Sequence, residues 1–151
     1  MYFVGRLVAA HFVCIPAWKE SFWMTKAQFL SALSDCGVDV SGALGRFMGN
    51  EELFLRFLCR LPGAKELDAL QQALEAQEQE TFYERLHELK GVCANLGVTA
   101  MAVPAQAMLE LYRADKWRDR EQMEPLLEQL RRADAQLLTL IGAYQGEGGA
   151  L

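Results

Sequence analysis

Phe82-Tyr83-Glu84-Arg85-Leu86-His87-Glu88-Leu89-Lys90-Gly91-Val92-Cys93-Ala94-Asn95-Leu96-Gly97 is the stretch on which the reading of this chain turns. Phe82, Leu86, Leu89, Cys93 and Leu96 recur at spacings of 4, 3, 4 and 3, the interval at which an α-helix returns to one face. The spacing predicts a helix from about Glu80 to Leu96 with a single apolar seam, ended by Gly97 at the position of a C-cap glycine. At roughly 100° per residue, His87 falls on the far side of that helix from the seam. Tyr83, Lys90, Gly91 and Ala94 lie within about 60° of it.

A histidine so placed is not a core residue satisfied by a neighbour. It is either an ordinary surface side chain or one exposed for a task. Gly91 bears on the choice. Glycine inside a helix costs about 1 kcal/mol relative to alanine, and having no Cβ it suits a place where another surface must come close. A helix–helix contact within the domain would also explain it, but Gly91 points with His87, away from the seam.

The segment resembles the histidine phosphotransfer (HPt) family of two-component phosphorelays, whose pattern is H-x-x-K-G followed by a small residue, Asn, an apolar residue and Gly. Here these are His87, Lys90, Gly91, Ala94, Asn95, Leu96 and Gly97. Upstream, Phe47-Met48-Gly49-Asn50-Glu51-Glu52-Leu53 resembles the family's F-x-G-[ND]-x-x-L block. Glu66-Leu67-Asp68-Ala69-Leu70 and Leu74-Glu75 resemble the segment leading into the histidine helix, and Leu109-Glu110 resembles the Leu-Glu of the helix after it. The similarity covers roughly Val38 to Tyr144. The chain departs from the pattern at Leu86, where the family often has Ala, and in the Leu-Glu pair, which comes one residue late. Pro104 precedes that pair, and a proline within a helix removes a hydrogen bond and tends to kink it.

The resemblance implies an all-α protein, an antiparallel four-helix bundle with additional short N-terminal helices. It makes His87 the phosphoryl acceptor and Lys90 the cation that stabilises phosphoryl charge. Gly91, Tyr83 and Ala94 would form the face on which a partner docks. In many members a polar side chain assists the histidine; Gln106 and Glu110 are both candidates for that role. The implied partners are response-regulator receiver domains and hybrid sensor kinases. The chain would need no cofactor of its own, and Mg²⁺ would sit on the receiver. No Gly-rich phosphate loop or Walker lysine occurs, so autokinase activity is not expected and the chain reads as a transfer intermediate. Two other functions stand beside this one: a helical adaptor that binds a receiver or kinase without transferring phosphate, and an unrelated enzyme using His87 as a general base.

Working outward, helical periodicity dominates. Thr25 to Ser34 reads as a short helix with Phe29, Leu30 and Leu33 inward, and Ser41 can cap a second running through Leu44, Phe47 and Met48 toward Gly49. Asn50 caps a third, Glu51 to Leu61, which Pro62-Gly63 stops. Helices follow through Leu67, Leu70 and Leu74, from Thr99 to Arg113, and from Asp119 to Tyr144. The last has Met123, Leu126, Leu127, Leu130, Leu137, Leu138 and Ile141 inward. The helices at Leu53, Leu89, Leu109 and Leu130 are expected to form the four-helix core, and the glycine-rich end from Gln145 to fray.

Composition agrees. A chain of 151 residues with 52% hydrophobic residues supports one domain with a real core. A net charge of −5 argues against generic nucleic-acid binding, which needs a basic face. The four cysteines form no C-x-x-C pair, which argues against structural zinc and for a reducing, cytoplasmic setting. Residues 1–23 stand apart, aromatic-rich with only Arg6, Lys19 and Glu20 charged. They read as an accessory segment or upstream-start extension, a docked extra helix, or a membrane or export element. Arg6, His11 and Pro16 interrupt any span. The bundle is expected over 24–145 and a tail over 146–151.

Overall fold

The structure, a computed structural model, describes residues 24–61 and 63–146. The expectations for residues 1–23, for Pro62 and for the tail beyond Gly146 lie outside the described residues. Seven helices and no strand occur among the described residues: α1 (Lys26–Asp35), α2 (Val40–Arg46), α3 (Glu51–Leu58), α4 (Ala64–Glu75), α5 (Gln79–Asn95), α6 (Thr99–Arg113) and α7 (Arg120–Gly146). Gln145 and Gly146, expected to fray, are part of α7.

α5 lies along α6 and α6 along α7, while α4 packs against both α5 and α7. These four close a ring around one core. The expectation that the Leu53 helix, α3, belongs to this ring is therefore corrected: α4 takes that place and α3 packs on α2. Both carry leucines at helical spacing, so periodicity could not rank them. Length decides, because eight residues of α3 span about 12 Å at 1.5 Å per residue and α5 is roughly twice as long. α1 is an outer layer on α7, with Phe29 stacked on Tyr144 at 4.2 Å.

Local chemistry explains where the helices start and stop. Thr25 and Gln28 form a reciprocal capping box at α1. α2 is capped by Asp39, whose carboxylate accepts from Gly42 N–H at 3.0 Å. Ser41, expected as the cap, lies within its first turn. Asn50 caps α3 by accepting from Leu53 N–H, as expected, but the helix ends at Leu58 rather than Leu61. Five connections then use one geometry: a residue with positive φ just past the helix, and the next N–H returning to a carbonyl five residues back. Those residues are Gly37, Met48, Gln77, Gly97 and Asp115. Three are not glycine, which is why composition alone did not mark them.

The core follows the predicted stripes with exceptions. In α7, Met123, Leu127, Leu130, Leu137, Leu140, Ile141 and Tyr144 are buried. Leu126 is half-buried, and Leu138, expected inward, is exposed at the flank. The stripe Leu130, Asp134, Leu137, Ile141 carries a carboxylate in its seam: Asp134 is 2% exposed and its Oδ1 has no hydrogen-bond partner among the described residues. Burial raises its carboxyl to about 6, opposed by Arg131. Burial, and then the charge of Asp134, pushes the Cys93 thiol up to about 12. Pro104 is buried within α6, which runs continuously from Thr99 to Arg113.

Candidate functional site

α5 carries the site because its two sides differ. Phe82, Leu86, Leu89 and Cys93 are buried against the bundle, which turns His87, Gly91 and Ala94 to the surface, all exposed. Tyr83 and Lys90 are half-buried beside them. Lys90 has no ion-pair partner among the described residues. A Cβ built on Gly91 would meet no atom of the described residues within 4 Å. The internal helix–helix explanation for this glycine is thereby removed, and nothing in the described fold needs it.

The far end of α5 is held hard. Gly97, at φ 72°, lets Gly97 N–H reach Ala94 O at 3.2 Å and Val98 N–H reach Cys93 O at 2.8 Å. The chain after α1 then pairs with the chain after α5. Asp39 N–H donates to Gly97 O at 2.7 Å, Ala100 N–H donates to Gly37 O at 3.1 Å, and Val38 and Val98 form an antiparallel bridge. Arg46 Nε donates to the Asn95 carbonyl at 2.8 Å, putting a cation on the negative end of the helix dipole. A Cβ on Gly97 would stand 2.6 Å from the Asp39 carbonyl oxygen. Gly97 is thus required twice, by conformation and by crowding, whereas Gly91 is required by neither.

The two accessory candidates lie on α6 and bond to each other: Gln106 Nε2 donates to Glu110 Oε1 at 3.1 Å. Neither is hydrogen-bonded to His87, which makes no hydrogen bond among the described residues. The imidazole instead lies against an aromatic ring, that of Tyr83, at 5.7 Å between centroids and 37° between planes. Tyr83 meets Tyr112 of α6 at 4.9 Å. Tyr112 and Trp117 were not singled out from the sequence. The usable signal was Tyr83 itself, one turn before His87 on the same face, which needed a neighbour behind it.

Among the described residues no group of three or more His, Cys, Asp and Glu side chains could hold a metal ion, and no helix is long and apolar enough to cross a membrane. A family model described as the Hpt domain matches residues 62–140, just over half of the chain, spanning α4 to most of α7. The match begins after the Phe47-to-Leu53 block, so that part of the resemblance lies outside it. No curated protein and no solved structure matches the chain.

Proposed function

The chain belongs to the Hpt domain family, which implies histidine phosphotransfer in two-component phosphorelays, and from that premise we propose that His87 accepts a phosphoryl group from a receiver-domain aspartate and passes it to another receiver. The observation that supports this most is the outward side of α5, where exposed His87 and half-buried Lys90 stand beside a glycine that no described residue crowds.

In this reading the lone pair of an imidazole nitrogen attacks phosphorus in line. The N–P bond forms as the acyl-phosphate P–O bond breaks, its electrons returning to the aspartate carboxylate, while the other ring nitrogen keeps its proton. Lys90, one turn from His87 and without an ion-pair partner among the described residues, supplies positive charge to the phosphoryl oxygens. Gly91 and Ala94 leave room for the receiver's loops, and Tyr83 lends apolar contact. The receiver brings Mg²⁺ and most of the transition-state stabilisation, so this chain works as a transfer intermediate with no autokinase activity. A cytoplasmic setting accords with the free thiols of Cys59 and Cys93.

The test is to incubate the full chain with a phosphorylated receiver and Mg²⁺ and follow acid-labile, base-stable phosphate on wild type and His87→Gln. Label on wild type alone is expected. Label retained by His87→Gln refutes the site. Binding without label on wild type would make the chain an adaptor.

A further inference from the structure

The groups that could have oriented His87 by hydrogen bonding do not do so, since Gln106 and Glu110 bond to each other. Side chains on a helix lean toward its N-terminus, so His87 reaches back over Tyr83, one turn earlier, at 5.7 Å. Tyr83 is backed by Tyr112 at 4.9 Å. Tyr112 in turn lies 6.1 Å from Trp117 and 6.4 Å from Phe82. Trp117 is 1% exposed and Phe82 is fully buried, and the two stack at 5.8 Å. The Arg118 guanidinium sits 4.6 Å over the Trp117 ring. A file of aromatic rings therefore runs from the core of the bundle to the exposed imidazole, crossing from the α6–α7 connection to α5.

Resting on the phosphotransfer reading above, we propose that Tyr112 is a positioning residue for His87, acting through Tyr83 to hold the imidazole in the orientation that in-line attack requires. An exposed histidine on a helix would otherwise divide among staggered rotamers, and transfer is fast only from the orientation that aims a ring nitrogen at phosphorus. A ring contact restrains the imidazole without engaging either nitrogen. A hydrogen bond to the attacking nitrogen would have to break first. The aromatic support thus takes the place of the polar assistant expected on α6. Tyr112 does not itself touch His87, so its effect is on orientation and not on the receiver's grip.

The experiment uses the full chain with Tyr112→Leu, which keeps apolar volume but removes the ring, and Tyr112→Phe, which restores the ring without the hydroxyl. Three quantities are read. The first two are the labelling rate at saturating phosphorylated receiver and the receiver concentration giving half that rate. The third is the NMR position of the His87 ring protons, identified by their absence in His87→Gln. Phosphoramidate, whose P–N bond breaks with release of ammonia, serves as a donor that needs no docking surface. Tyr112→Leu is expected to lower the saturated rate and the phosphoramidate rate about five- to tenfold, the scale of one lost ring contact. The half-saturating concentration stays unchanged, the His87 resonances lose their ring-current displacement, and Tyr112→Phe restores all three. If Tyr112→Leu does not fold, Tyr83→Leu is read by the resonances and phosphoramidate alone. An unchanged saturated rate, a change confined to the half-saturating concentration, or unmoved His87 resonances would overturn the positioning role while wild type is still labelled. A wild-type chain labelled by neither donor would overturn the phosphotransfer reading itself.

Discussion

Replacing Gly91 separates what the fold needs from what the partner needs. The residue lies within α5, where alanine is better than glycine by about 1 kcal/mol, partly because glycine leaves the unfolded chain more freedom. Whether that gain is realised depends on the space a Cβ would enter, and here it would meet no atom of the described residues within 4 Å. Its backbone is not among those with positive φ, so no strain offsets the gain. Gly91→Ala is therefore expected to stabilise the protein by about 1 kcal/mol, a rise of roughly 3 °C in Tm for a domain of this size. Urea unfolding followed by circular dichroism measures it, with the slope against denaturant unchanged. The larger Gly91→Gln should likewise keep or raise stability, yet, if the proposed docking face is right, weaken binding of a receiver domain by about tenfold or more, measured by titration calorimetry, because its side chain would stand in the path of the proposed approach. A less stable Gly91→Ala would refute the open-space reasoning. Undiminished receiver affinity in Gly91→Gln would refute the close-approach explanation and leave this glycine without a role.

Gly97→Ala should act in the opposite sense, costing about 2–4 kcal/mol by urea unfolding, since it combines a left-handed backbone with a Cβ 2.6 Å from the Asp39 carbonyl oxygen. Asp134 should make stability depend on pH. Its carboxyl is raised from 3.8 to about 6 in the folded state, so ionisation opposes folding, and stability present below pH 4 is lost as pH rises through 6. Relative to Asp134→Asn, wild type should lose on the order of 2 kcal/mol between pH 4 and 7, and parallel pH profiles of the two proteins would contradict this. Met48 holds φ 54° while 93% exposed, so Met48→Gly should add about 1 kcal/mol by relieving a left-handed conformation, read as a higher urea midpoint. Lys90→Ala should slow labelling of His87 several-fold with little change in Tm, measured by the rate of phosphate incorporation; an unaltered rate would remove Lys90 from the chemistry.

Much of the placement of the candidate site residues is legible in the sequence. The seam Phe82, Leu86, Leu89, Cys93 placed His87, Gly91 and Ala94 on the solvent side because helical geometry leaves no other arrangement, and the structure agrees. Lys90 and Tyr83 came out half-buried rather than free on that face, because α6 packs along α5 and covers its flank. The choice between Gln106 and Glu110 was undecidable from spacing, and their mutual hydrogen bond is a contact between neighbouring turns that only coordinates reveal.

The chain's own pattern determined what depends on local rules: seven helices, the Asn50 cap of α3, the exposed side of α5, and Gly97 as the residue that ends it. Those outcomes rest on periodicity, on side chains reaching N–H groups three residues away, and on which residues tolerate a left-handed backbone. Tertiary structure decided what depends on residues distant in sequence. It put α4 rather than α3 in the ring and pinned Gly97 against Asp39. It buried Asp134 within an otherwise apolar seam, and it set Tyr112 and Trp117 behind Tyr83 and His87. Period and capping are properties of a single helix. Which helix covers which face follows from length, shape and burial summed over the whole bundle, and no window of sequence contains that sum.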